Sequence, residues 1–286
     1  MIKKKINTKQ VGNLFDVNES TVRRWAMSGK IKCTTSAGGH RKFSYKDIID
    51  FSKRNKIYLK SVEDLSVIDN SKIVNKILNF LFNNDVGSID KILIKLYLNG
   101  LSLPEIMDEY IEVVLVSLQK KLDDQKISVA QEHISRKIIS KSLNNFREYI
   151  SNNNNIINGN ILCLNLENDI PDLPIDMIQI LLESLDYKVH NCGSNTSIHN
   201  LKILLSDNTY DAIFIYLCDR QCCSATVRDN ITKTINDLQA ISDLSKKYKI
   251  KLFLGGPSSR NIDRKVISHY TSFIKYSDVI KLCKTI

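Results

Sequence analysis

Between residues 156 and 286, four short apolar runs alternate with longer stretches of helical periodicity. The runs are Ile161–Asn165, Lys188–Asn191, Asp211–Tyr216 and Lys251–Leu254; the spacers are helical near Ile175–Leu185, Ser197–Leu205 and Ala225–Lys247. No other feature of the chain narrows its fold so far. Spacers of this length suit crossovers between parallel strands rather than hairpin turns. A flavodoxin-like (Rossmann-like) doubly wound parallel sheet follows for residues 156–286. In such sheets the ligand region lies beyond the carboxyl ends of the strands. That places Leu166–Pro174, Cys192–Asn195, Leu217–Ser224 and Gly255–Ser259 around one mouth.

Residues 61–155 change period. Ser71 precedes Ile73, Val74, Ile77, Leu78, Leu81 and Phe82, a stripe at helical spacing. Ser88 is expected to open a second helix that stops at Asn99-Gly100. Ser102-Leu103-Pro104-Glu105 is a capping box with proline in the first turn, starting a third helix with Ile106, Tyr110, Val113, Val114 and Leu118 inward. Ser128-Val129-Ala130-Gln131 is a second such box, opening a long helix to about Ser151. Four helices with short loops read as a four-helix bundle.

Charge singles out residues 1–60. They carry 15 Lys/Arg against 4 Asp/Glu, whereas the rest of the chain holds 26 against 27. The whole formal excess of +10 therefore belongs to one small module, which suits a polyanion partner. Thr8 is the expected cap of a first helix with Val11, Leu14 and Phe15 inward. Asp16-Val17-Asn18 is turn chemistry, and a second helix runs over Glu19–Met27 with Val22, Trp25 and Ala26 inward, stopping at Ser28-Gly29. Strands at Ile31–Thr35 and His40–Ser44 flank Ala37-Gly38-Gly39, and another helix starts at Tyr45. A helix-turn-helix projecting Ser20, Thr21, Arg23 and Arg24, beside a hairpin bearing Lys32, His40, Arg41 and Lys42, has the parts that read a groove and hold adjacent phosphates. Arg23 and Thr21 are assigned to bases and the hairpin to phosphates; Trp25 is assigned to the core.

Thr21-Val22-Arg23-Arg24-Trp25-Ala26, followed by Gly29-Lys30-Ile31 and Gly38-Gly39-His40-Arg41-Lys42-Phe43, resembles the winged helix-turn-helix DNA-binding domain of the MerR superfamily. The order of the three segments, with Ile127-Ser128-Val129-Ala130-Gln131-Glu132-His133 in the bundle and Gly255-Gly256 after the fourth strand, resembles its light-sensing, cobalamin-binding repressors (the CarH, CarA and LitR group). The resemblance implies a transcription regulator that binds double-stranded promoter DNA, self-associates as a dimer or tetramer, and engages RNA polymerase or a regulatory protein.

The cofactor residues of that group are not matched. Its cobalt-ligating histidine lies in a Glu-x-x-x-Asp-x-His-x-x-Gly loop after the first strand. Ungapped alignment back from Gly193 sets Pro171 on the histidine and Pro174 on the glycine. Leu122 falls on the bundle tryptophan, and Tyr216 on a small serine of the nucleotide-tail pocket. The expectation is a degenerate site without a resident cofactor, in which Glu132, His133, Gly255 and Gly256 are vestiges. Glu132 and His133 otherwise read as a satisfied polar pair or a proton-sensitive contact. The alternative is a light- or ligand-responsive repressor that takes cobalamin, haem or another tetrapyrrole in a divergent mode, with His190 and His199 as haem candidates.

Cys192, Cys218, Cys222 and Cys223 gather near the same mouth. A metal or redox role competes there with plain apolar packing, and C-x3-C-C matches no zinc or iron–sulfur spacing. No catalytic constellation is apparent, so no enzyme activity is expected. Seven scattered cysteines, the lack of an apolar run of ~18 residues and the lack of a signal-type start lead to the expectation of a reduced, cytoplasmic protein with no membrane partner.

Overall fold

The computed structural model describes residues 5–57, 70–150, 157–169, 172–218 and 231–286. The chain divides into two compact units, Met1–Leu118 with Lys137–Ser151, and Gln119–Arg136 with Asn152–Ile286.

The first unit begins with β1 (Lys5–Asn7), α1 (Thr8–Phe15), α2 (Glu19–Met27), β2 (Thr34–Thr35), β3 (Arg41–Ser44) and α3 (Tyr45–Asn55). The cap of α1 is Asn7 rather than Thr8. Its side chain accepts from the Gln10 amide while the Gln10 side chain accepts from the Asn7 amide. α2 has the expected bounds. The hairpin is shorter than expected, because the amides of Lys30 and Ile31 both donate to the Trp25 carbonyl and extend the helix ending. The small sheet gains β1, which pairs with β3 on the side away from β2. Three residues in a lysine-rich stretch carry too little pattern to announce a strand.

Helices α4 (Asn70–Phe82), α5 (Val86–Leu98), α6 (Leu103–Ile106), α7 (Glu112–Asp123) and α8 (Val129–Ile150) follow. Ser71 lies inside α4 instead of capping it. α5 starts earlier than Ser88 because Asp85 caps it, accepting from both the amide and the hydroxyl of Ser88. Both capping boxes form, Ser102 with Glu105 and Ser128 with Gln131. Between α6 and α7, Met107–Ile111 make a π turn. A π turn holds one more residue than an α turn, so the inward stripe shifts after it. Val114, Leu115 and Leu118 are buried, and Val113, expected inward, is exposed. In this unit Tyr45 of α3 lies with its ring 5.0 Å from that of Tyr149 of α8, and Lys53 stands 5.1 Å over the Tyr97 ring. Asn145 donates to Asp90 at 3.0 Å, joining α8 to α5.

The second unit is built on β4 (Asn160–Leu164), β5 (Lys188–Asn191), β6 (Ala212–Tyr216), β7 (Lys251–Gly255) and β8 (Thr271–Ser272), with α9 (Leu173–Ser184), α10 (Ile198–Asp207), α11 (Ile231–Tyr248) and α12 (Tyr276–Cys283). The sheet order is β5-β4-β6-β7-β8 and every pairing is parallel, the flavodoxin-like order with its switch between β4 and β6. β8 and α12 are additions that the apolar pattern did not announce. Alternation along the central strands divides two cores. Leu162, Leu164, Ile213, Ile215, Leu252 and Leu254 pack with Leu201, Leu205, Leu238 and Ile241. Phe214 and Phe253 point the other way and stack at 4.5 Å, with Phe273 beside them. Among the described residues no helix is long and apolar enough to cross a membrane.

Candidate functional site

The basic module owes its shape to three aromatic rings and one glycine. Trp25 sits 5.8 Å from Phe15 and 4.7 Å from Phe51, and Phe15 lies 5.6 Å from Phe51. Trp25 is thus spent on packing, as its spacing predicts. At Gly12 a Cβ would come 2.6 Å from the Val17 carbonyl oxygen, so the turn between α1 and α2 closes only over glycine. Asp16 takes the left-handed conformation in that turn.

On this frame Ser20, Arg23, Arg24, Lys32 and His40 are exposed, while Thr21, Arg41 and Lys42 are half-buried. Arg23 is held by Glu19, one helical turn earlier, at 3.4 Å. In β3 successive side chains alternate, so Arg41 shares a face with buried Phe43 while Lys42 takes the opposite one. The two residues therefore do not present one surface, whereas Arg23 and Arg24 both project from α2.

At the carboxyl ends of the parallel strands the loops are tied to one another. Leu166 forms a β-bridge with Thr196. The Asn168 amide donates to Asn195 Oδ1 at 2.9 Å, and the Asn195 amide donates to the Asp169 carbonyl at 3.2 Å. Asp169 is buried; its Oδ2 accepts from the Cys218 amide at 2.9 Å, and Ser258 Oγ donates to the Cys218 carbonyl at 3.1 Å. Burial pushes the Asp169 carboxyl up to about 7, against the opposing effect of that amide. Lys233 of α11 bridges Glu167 at 2.7 Å and Asp237 at 3.2 Å, and its hydrogen bond to Glu167 raises its pKa.

Sequence reasoning passed over Asp169 and Lys233. Asp169, two residues before Pro171, stands at the aspartate place of the Glu-x-x-x-Asp-x-His-x-x-Gly loop, and that spacing was the signal for it. Pro171 lies outside the described residues, as do Cys222 and Cys223. Pro174 lies in the first turn of α9.

Gly255 and Gly256 fall at the end of β7. A Cβ on Gly255 would meet the Phe273 ring at 2.1 Å, and one on Gly256, whose φ is 94°, would meet the Leu217 carbonyl oxygen at 2.2 Å. The hollow that a glycine pair opens is occupied by the protein itself. Tyr216 is also buried. Glu132 is fully buried and its partner is Arg136, one turn on, whose Nε donates to Glu132 Oε1. That Glu-x-x-x-Arg spacing was open to reading. His133 is exposed, with Nε2 3.9 Å from Glu132 Oε2.

His190 Nδ1 pairs with Tyr210 OH at 2.7 Å, and His199 is exposed on α10. His190 and Tyr210 line a cleft of about 490 Å3 at the amino ends of the strands, opposite the mouth. Cys218 is buried and Cys192 half-buried; burial raises the Cys192 thiol. Among the described residues no three His, Cys, Asp or Glu side chains gather as a metal site.

The second unit defines a class by its fold, a flavodoxin-like sheet whose order places a ligand mouth at the β4/β6 switch. Compared with solved structures, the chain is similar to the monomethylamine corrinoid protein of Methanosarcina barkeri, at 13% identity and TM-score 0.57, over 76% of this chain and 100% of that one. The methanol:cobalamin methyltransferase complex MtaBC from the same organism (13% identity, 94% and 92% covered, TM-score 0.38) and a cobalamin-binding protein of Desulfitobacterium hafniense DCB-2 (13%, 77% and 98%, TM-score 0.36) are also matched, too loosely to add to the argument. No family model and no curated protein sequence matches the chain. The likeness shows that the chain shares the fold of that corrinoid protein.

The residues at this mouth do not fit a corrin as they stand. The carboxylate at the loop's aspartate place is turned onto a backbone amide, a phenylalanine ring fills the hollow over Gly255, and the Leu217 carbonyl closes on Gly256.

Proposed function

We propose that this protein is a DNA-binding transcription regulator that reads promoter DNA with α2 and grips flanking phosphates with the β2–β3 hairpin. The observation that carries the reading is the exposure of Arg23 and Arg24 together on one short helix whose other side is fixed by the Phe15–Trp25–Phe51 cluster. That geometry, within the segment that holds all of the chain's excess positive charge, suits a helix entering a major groove. Operators are commonly two-fold symmetric, so the working form is at least a dimer. The parallel-sheet unit acts in regulation or assembly rather than catalysis, without a resident cofactor.

The test is an electrophoretic shift on DNA from upstream of its own gene, run over a salt series. Arg24→Ala and Arg41→Ala are each expected to weaken binding, and loss of a phosphate contact flattens the salt dependence by about one ion. Unchanged affinity and slope in both variants would refute the assignment.

A second reading, that the sheet unit takes cobalamin or haem in a divergent mode and makes the regulator light- or ligand-responsive, is favoured by the likeness to the corrinoid protein fold. Protein mixed with adenosylcobalamin or haem and then desalted keeps a visible absorption band under that reading and is colourless under the first.

A further inference from the structure

The outward side of α2 carries more information than its charge. Val22 is the buried residue of this helix and marks the inward direction. At about 100° per residue, Ser20 and Arg24 lie about 160° round from Val22 and Met27 about 140°, so these three form the outermost ridge. Thr21 and Arg23, expected to meet bases, lie only about 100° round, on the two flanks. Exposure agrees with the projection for Ser20, Arg24 and Met27, the last 77% exposed, and for half-buried Thr21; Arg23 is exposed as well, so its place is set by its angle and its partner rather than by burial. Arg23 is further drawn along the flank by Glu19.

Met27 is also the most exposed of the large apolar side chains among the described residues. The side chains beside it on the outward side of α2, Arg23 and Arg24 one turn back and Ser20 two turns back, are polar, so the helix itself offers no apolar patch to a protein partner. A lone, flexible thioether between polar groups matches a small apolar target set in a polar wall. The major groove presents such a target in the thymine 5-methyl group, flanked by acceptors that suit Arg24 and Ser20.

Resting on the DNA-binding reading, we infer that Ser20, Arg24 and Met27 are the base-reading ridge of α2, and that Met27 contributes specificity by covering a thymine methyl. Arg23 then serves the backbone. The ridge is about two helical turns long, so the thymine lies within a few base pairs of the guanine or adenine edge that Arg24 meets.

The experiment selects binding sites for the full chain from a pool of random-sequence duplexes, in parallel for the wild type, Met27→Ala, Arg24→Ala and Arg23→Ala. Met27 is solvent-exposed, so its truncation leaves folding intact. The wild type is expected to enrich a site with a fixed thymine that Met27→Ala no longer selects. Replacing that thymine by uracil, which lacks the methyl, is expected to weaken wild-type binding about four-fold, the equivalent of one buried methyl, and to leave Met27→Ala unaffected. Arg24→Ala changes the selected sequence, whereas Arg23→Ala weakens all duplexes alike. If Met27→Ala enriches the same site with the same weights, or uracil weakens both proteins equally, the ridge assignment falls while DNA binding stands. If the wild type enriches nothing, the DNA-binding reading itself falls, and this one with it.

Discussion

Asp169 is a carboxyl that the fold has buried against one amide, and exchanging it for asparagine isolates what that burial does. The Asp169→Asn variant keeps a side-chain carbonyl oxygen for the Cys218 amide, bonded at 2.9 Å in the native protein, and removes the titration. The native carboxyl is raised from 3.8 to about 7 because burial disfavours its charged form. A folded-state value above the unfolded one means the native state binds the proton more tightly. The stabilisation is therefore complete below the unfolded value and is lost as pH rises through the folded value. The distance between the two values corresponds to about 4 kcal/mol, of which about 3 kcal/mol falls between pH 5 and pH 8. Scanning calorimetry across that range, with the fluorescence of Trp25 marking the first unit, assigns the transition of the second. The wild-type second unit should lose stability steadily from pH 5 to about pH 7 and level off towards pH 8. Asp169→Asn should flatten that slope and exceed the wild type at pH 8. Parallel pH profiles for the two proteins would refute the burial argument.

Other expectations follow from close contacts. Gly256→Ala places a Cβ against the Leu217 carbonyl at a backbone angle that favours glycine, and should destabilise the second unit by about 3 kcal/mol in urea unfolding. Glu132→Gln leaves Arg136 charged and buried without its carboxylate, a loss of about 3 kcal/mol or more; the double variant Glu132→Gln/Arg136→Met should recover much of it, as a thermal-shift series would show. Phe51→Ala, at a fully buried ring against Phe15 and Trp25, should cost about 3–5 kcal/mol of first-unit stability by tryptophan-monitored unfolding.

How far each region could be read from its residues depends on where the deciding interaction lies. The bounds of α2 were readable because buried Val22 and the left-handed Gly29 act within one or two turns of themselves, although Asn18, at the cap position, makes no side-chain capping bond. The parallel order of the sheet followed from spacer length, a property of chain connectivity. The start of α5 was misplaced because two capping residues three positions apart competed, and Asp85 reaches both groups of Ser88. The π turn at Met107–Ile111 left no trace in the apolar spacing, since Tyr110 and Ile111 are both apolar enough to be buried either way. In the candidate sites, exposure of basic residues on α2 was legible from helical period alone. The tie from Asp169 to Cys218 was not, because it joins residues 49 positions apart through a backbone amide that has no residue-type signature.

The seat of Phe273 over Gly255 bears on any molecule that would occupy that part of the sheet. Phe273 follows directly after β8, and its amide donates to the Leu254 carbonyl at 3.0 Å, so the ring is delivered by the sheet's own edge. An incoming ligand competes with an occupant that never dissociates from the chain and whose local concentration is fixed by a few covalent bonds. Its apparent affinity is divided by the fraction of molecules in which the ring has left, however well the emptied space would suit it. The stability of one two-residue strand at the margin of the sheet therefore governs how readily that part of the domain could open to a ligand.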